Sequence, residues 1–252
     1  MNRWKASGIH LLISMILVGI LLVVLLNTWY PPAIMGISKA EGLIYILAGV
    51  DITIGPLLTL IVYKVGKPSL KFDLSVIALL QISALSFGLY TIWQSRPVFM
   101  VAANDRFYLV YANEVEAKNL AQAKNPEYST LGFGGAKIVA AVSSIDINRP
   151  ISFEPVPDIQ NLPRYFVAYD NYAENLMAQS LPVTADKTNE TPQAVTAAIK
   201  AWASQNKVKL ETLRYLPINS SRGSGVMVVD VNTKKPVATL DINPWGMKEY
   251  FK

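Results

Sequence analysis

Residues 43–63 read LIYILAGVDITIGPLLTLIVY, residues 64–71 read KVGKPSLK, and residues 74–94 read LSVIALLQISALSFGLYTIWQ. Each long run is 21 residues and almost wholly apolar. At helical rise such a run covers about 30 Å, the thickness of a bilayer's hydrocarbon core. The pair therefore reads as a hydrophobic hairpin closed by a short basic turn, in which Gly66 and Pro68 reverse the chain. Within the first arm lies Asp51, a carboxylate roughly 12 Å along the helix from its start. A charge-bearing side chain in a run of membrane length is costly and requires a partner or a purpose.

Working outward towards the N-terminus, Ile9 to Trp29 is a third apolar run, preceded by Arg3 and Lys5. It is too long for the core of a cleaved leader, and Trp29-Tyr30-Pro31-Pro32 is no small-residue cleavage site. A retained helix is expected, ended by the prolines, with Trp29 and Tyr30 in an interfacial aromatic belt and Tyr90 and Trp93 forming a similar rim. Residues 31–42 form a connecting loop with one cation, Lys39. Arg3 and Lys5 flank the first span, and Lys64, Lys67 and Lys71 flank the hairpin turn. The positive-inside rule then places the N-terminus and the turn in the cytoplasm and everything after the third span outside. The expected division is a three-span membrane region, 1–96, and an extracytoplasmic domain, 97–252.

That second part changes character. Residues 98–101 and 107–111 read as a β-hairpin, 113–124 as an Asn-capped helix and 137–142 as a strand. The Pro-spaced stretch 148–164 reads as surface chain in which 151–153 pair briefly. Helices follow at 170–181 and 192–205, the second capped by Thr191 and opened by Pro192, with Val195, Ile199 and Trp202 on one face. Strands at 211–217, 225–231 and 236–242 close the domain. The expected fold class is membrane-anchored α+β: three transmembrane helices, then an antiparallel-sheet domain with two or three helices.

Composition agrees with this partition. The 252 residues are 52% hydrophobic and only 16% charged, against about a quarter charged in ordinary soluble domains. The formal net charge of +5 divides into +3 over the first 95 residues and +2 over the rest. A domain at +2 with both signs interspersed has no electrostatic case for nucleic acid. The chain has no cysteine and a single histidine, His10. Thiolate chemistry, disulfides, Ser-His-Asp catalysis and a histidine zinc site in the outer domain are therefore excluded.

Few residues carry a chemical signal. Gly132-Phe133-Gly134-Gly135-Ala136-Lys137 lacks the Ser/Thr and the following helix of a phosphate loop, so a plain glycine turn is expected. Asp105, Asp146, Asp158, Asp170, Glu174 and Asp230 show no pairing in their spacing, and the sequons at Asn189 and Asn219 receive no role. Neither an enzyme nor a cofactor is expected. Asp51 stays the sharpest candidate. The simplest account is a bundle-facing carboxylate paired with Gln81 or Ser83 of the third span, or Asn27 of the first. Gly49 and Gly55 would permit close helix approach, and Pro56 would free a carbonyl and kink the helix. The functional alternatives are docking of another membrane helix, or a proton or ion path, which three spans with one acid scarcely enclose.

Taken together, the segments around Leu47-Ala48-Gly49-Val50-Asp51, Gly55-Pro56-Leu57-Leu58-Thr59-Leu60 and the run from Ser69 to Gln81 resemble the TfpX/TfpZ type IV pilin accessory proteins. Gly88-Leu89-Tyr90-Thr91, Arg96-Pro97-Val98, Asp105-Arg106-Phe107 and the closing Asp241-Ile242-Asn243-Pro244-Trp245 fit the same resemblance. It is dense over residues 43–111 and thin over 112–210. The resemblance implies a bacterial inner-membrane protein and the major type IV pilin as partner, with a role in pilin stability or pilus assembly. It carries no catalytic residues. A competing class is an anchored sensor or ligand-binding receptor. Its cytoplasmic segments of about eight residues would oblige it to signal through a partner, since an output domain is far larger.

Overall fold

The structure is a computed structural model that describes residues 2–142, 158–183 and 192–245. It separates into two units: Met1–Pro31 with Ala40–Arg96, and Pro32–Lys39 with Pro97–Lys252. In chain order the first helices are α1 (Arg3–Thr28), α2 (Pro32–Ser38), α3 (Glu41–Gly49), α4 (Gly55–Val62) and α5 (Leu70–Ser95), with a π-helical turn, Val50–Ile54, joining α3 to α4.

The first unit is helical. Three stretches are long and apolar enough to cross a membrane: Arg3–Thr28, Glu41–Val62 and Leu70–Ser95. α1 starts at Asn2, whose side chain accepts from the Lys5 amide at 2.9 Å. α5 begins ahead of its apolar run because Asp73 falls in the first turn, where the helix dipole favours a carboxylate. There it pairs with Lys67 at 2.6 Å and accepts from the Ser69 hydroxyl at 3.1 Å. The helix stops at Arg96, whose backbone is held extended by the following proline. Trp29 and Trp93 meet edge to face at 5.3 Å, and the Arg96 guanidinium lies 3.4 Å from the Trp93 ring centre. Trp29 and Tyr30 are buried and Tyr90 is exposed.

The second unit is built on one sheet. Its strands are β1 (Pro97–Ala103), β2 (Arg106–Tyr111), β3 (Lys137–Ala141), β4 (Phe166–Ala168), β5 (Leu181–Pro182), β6 (Leu213–Asn219), β7 (Ser224–Asp230) and β8 (Pro236–Leu240). The order is β4-β3-β1-β2-β6-β7-β8, with β5 on the edge of β6. The sheet is mixed, which corrects the antiparallel expectation: β1 runs parallel to β3, and β2 parallel to β6. The cause is the connection from β2 to β3. It is too long for a hairpin, and it lays Val115 and Tyr128 across the sheet, so β3 arrives beside β1 rather than beside β2.

The same packing breaks the helix expected at 113–124. Only Ala117–Leu120, α6, is α-helical, after a 3-10 turn at Ala112–Glu114. Val115 takes an extended conformation so that its side chain can join the core. Two later helices are present, α7 (Ala173–Gln179) and α8 (Gln193–Asn206), with Pro192 as the flanking residue rather than the first helical one. Val195, Ile199 and Ala203 of α8 cover Leu213, Tyr215, Val226 and Val228 of the sheet. The cap at Thr191, the pairing at Ile151–Phe153, Asp146 and the sequon at Asn189 lie outside the described residues.

Residues 32–39, expected as a loop, form α2 and belong to the sheet's unit. Ile37 is fully buried. A Cβ on Gly225 would come within 2.8 Å of the Ile37 side chain, and one on Gly223 within 2.5 Å of the Ile37 carbonyl. In return, a Cβ on Gly36 would overlap the Asp241 carboxylate. Three glycines thus let this short helix lie against β7 and the chain beyond β8.

Candidate functional site

The helical unit gathers its polar residues on two facing stripes. Asp51, Gly55, Pro56 and Thr59 are all buried, spaced so that they share one side of the second apolar helix. Pro56 explains the π turn immediately before it. It offers no amide hydrogen to the Ile52 carbonyl, and its ring would crowd that carbonyl in a regular helix; one wider turn relieves both. On α1, the facing stripe is Ser7, His10 and Ser14. The Ser7 hydroxyl donates to the Pro56 carbonyl at 2.8 Å, and His10 Nδ1 is hydrogen-bonded to the Thr59 hydroxyl at 2.6 Å.

Asp51 is 4% exposed. Gln81 reaches it from α5, as the residue types implied, but at the main chain: Nε2 donates to the Asp51 carbonyl at 3.4 Å. The carboxylate oxygen Oδ2 is buried and meets no hydrogen-bond partner among the described residues. Asn27 turns back to its own helix, donating to the Val23 carbonyl at 2.7 Å, and Ser83 is exposed, so neither is a partner. Gly55 faces the Gln81 side chain so closely that a Cβ would overlap it. Gly49 has open space beyond its Cα, so it mediates no close helix contact; that expectation is corrected. The small residue that does so is Gly88 of α5, against which Leu47 packs.

Beside Asp51 the same helices leave a groove of about 230 Å³. One wall is Leu43, Leu47 and Asp51, and the other is Ala84, Leu85 and Gly88. At the far end of the unit, Arg3 and Lys64 line a common cleft of about 400 Å³. Lys67 is engaged with Asp73, and Lys5 and Lys71 are exposed.

The sheet unit has its own cleft of about 310 Å³, where β6 ends at Asn219 and β2 continues past Tyr108 paired with β1. Glu114, Asp158, Asn161 and Ser220 line it. Burial raises the pKa of the Tyr108 phenol there. Asp105 accepts from Nε and Nη2 of Arg106 at 2.8 and 2.9 Å, which lowers its pKa. Asp230 accepts from the amides of Asn232 and Thr233 in a turn, Glu174 pairs with Lys234, and Lys137 leaves the glycine loop to pair with Glu127. Each of these acids has its partner within the sheet unit. Among the described residues no three His, Asp or Glu side chains gather in a metal-binding arrangement.

No family model and no solved structure matches the chain. Two curated relatives from Dichelobacter nodosus match over nearly their whole length. The fimbrial assembly protein of serogroup I is 28% identical over 234 residues, 89% of each chain. That of serogroup E1 is 27% identical over the same span and coverage. The fimbrial assembly protein of serogroups C1 and C2 is 32% identical over 121 residues, 47% of this chain and 92% of its own. The chain belongs to the fimbrial assembly protein family. Membership is carried by residues spread over both units, since matches covering 89% of the chain leave room for neither unit to be missing.

Reading this family member from sequence missed His10, Ser7 and Thr59. The signal was present. Asp51, Gly55 and Thr59 recur every fourth residue, and Ser7, His10 and Ser14 fall at i, i+3 and i+7.

Proposed function

We propose that this chain is a non-catalytic accessory protein, of chaperone type, for the major type IV pilin in the bacterial inner membrane. The observation that carries the reading is the match to fimbrial assembly proteins over 89% of both chains. In this reading the three apolar helices span the membrane, with the N-terminus and the 64–71 turn in the cytoplasm and the sheet unit in the periplasm. The lysine distribution supports that orientation. So does the membership of residues 32–39 in the sheet unit, because the link between the first two spans must then emerge on the sheet's side. The helices pack on the pilin's membrane segment while the sheet unit engages its folded head.

Deleting the gene and measuring total pilin and surface pili tests the role. Pilin that falls in abundance, or that accumulates in the membrane without pili, is the expected result, together with recovery of pilin on purified full-length chain. Normal pilin levels, normal pili and no co-purification would overturn it.

A further inference from the structure

The turn end of the helical unit carries more positive charge than its acids neutralise. Three acids occur before residue 97. Glu41 opens the second apolar helix at the opposite end, Asp51 is buried within that helix, and Asp73 is paired with Lys67. Arg3 and Lys64 have no ion-pair partner among the described residues. Both line one cleft of about 400 Å³, Arg3 on the α1 wall and Lys64 on the wall that continues α4. The two walls are tied together one and two turns along α1, where Ser7 donates to the Pro56 carbonyl and His10 meets the Thr59 hydroxyl. Both cations are exposed, and their side chains are long enough to converge on an anion seated between them. Like charges facing one cleft repel, so an anion there gains from both.

The rest of the lining says which anion. Ile61 and Val65 are exposed apolar side chains of the same cleft, at the point where the apolar run gives way to Lys64. A free phosphate would leave them uncovered. A phospholipid meets both demands, with its phosphate on the cations and its acyl chain along Ile61. A zwitterionic head would bring its own cation against Arg3 and Lys64, whereas an anionic head brings none. We propose that this cleft binds one anionic phospholipid, its phosphodiester held by Arg3 and Lys64 in the leaflet on the side of the 64–71 turn. The proposal rests on the proposed function only in taking the three apolar helices as membrane spans.

The test uses the purified full-length chain in neutral detergent, titrated with phosphatidylglycerol or phosphatidylcholine and read by native mass spectrometry. One phosphatidylglycerol should be retained in preference to phosphatidylcholine. Arg3→Gln with Lys64→Gln should weaken that retention about thirtyfold, the combined contribution of two basic side chains near an anionic headgroup. Lys5→Gln with Lys71→Gln removes the same charge from exposed positions outside the cleft and should leave retention nearly unchanged. Val65→Asp puts a carboxylate into the cleft at an exposed position and leaves every cation in place. It should weaken retention too, and it covers the case in which the Arg3/Lys64 variant fails to insert. Equal retention of the two lipids, equal losses in the two double variants, full retention in Val65→Asp, or displacement of the lipid by excess inorganic phosphate would each overturn the proposal. Alkaline washing of cell membranes tests the underlying reading separately. Chain that resists the wash but shows no preference for phosphatidylglycerol loses the site and keeps the spans, whereas chain stripped by the wash loses the spans.

Discussion

Gln81 donates to the main chain of Asp51 and not to its side chain: the amide nitrogen lies 3.4 Å from the carbonyl oxygen, while the carboxylate keeps an unpartnered oxygen. The arrangement depends on Gly55, the only residue type that leaves room for the Gln81 amide at that height. Helix contact and the pairing of the acid are therefore linked, since an amide held on the backbone does not reach the carboxylate.

Gly55→Ala should push Gln81 aside and destabilise the helical unit by about 1–3 kcal/mol, the usual cost of overpacking. Adding Gln81→Ala should return part of that loss. Gly49→Ala, with open space around it, should be neutral or stabilise by up to about 1 kcal/mol through helix propensity. Unfolding of the purified chain in detergent, followed by circular dichroism, measures all three. Equal losses at Gly49 and Gly55 would contradict the packing described.

The His10–Thr59 contact joins α1 to α4 across 49 residues of sequence. Thr59→Val keeps the shape and removes the hydroxyl. A double-mutant cycle with His10→Leu should show a coupling of about 0.6–2 kcal/mol, the range found for polar pairs between membrane helices.

Residues 32–39 should be indispensable to the sheet unit. Ile37→Ala empties a fully buried site and should cost about 2–5 kcal/mol. A soluble 97–252 fragment should be markedly less stable to urea than the same fragment with 32–39 joined to it. Identical midpoints would show that α2 is a bystander.

Two pH effects follow in the sheet unit. The Arg106 hydrogen bond lowers the Asp105 pKa in the fold, so its contribution is present above the unfolded pKa near 4 and fades as pH falls further. Asp105→Asn should remove that part of the acid sensitivity. Tyr169 is pushed up to about 12 by burial, and its hydroxyl donates to the Lys234 carbonyl at 2.8 Å. A raised phenol pKa stabilises the fold below the unfolded pKa of about 10 and loses that contribution as pH climbs from there through 12. Tyr169→Phe should lower stability at neutral pH by about 1 kcal/mol and make the alkaline decline shallower.

Much of the architecture was legible beforehand. The three apolar helices, the hairpin β1–β2, the strand β3, α8 and the final three strands all rest on local periodicity and turn residues, which a single chain displays openly. The failures have one origin. Val115 looks like a helix residue in NEVEAKNL, yet the core beneath the sheet claims it. PAIMGIS looks like a linker, yet Ile37 finds a seat between glycines nearly 190 residues away.

Asp51 marks the division. A costly acid inside an apolar run, on a helix broken by Pro56, could be recognised from the order of residues alone, because the expense of burying a charge is a property of the residue and its apolar neighbours. Which atom of that aspartate is satisfied, and that His10 and Thr59 join α1 to α4, were settled by folding. Hydrogen bonds reach only about 3 Å, so their partners are chosen by how distant segments are brought together.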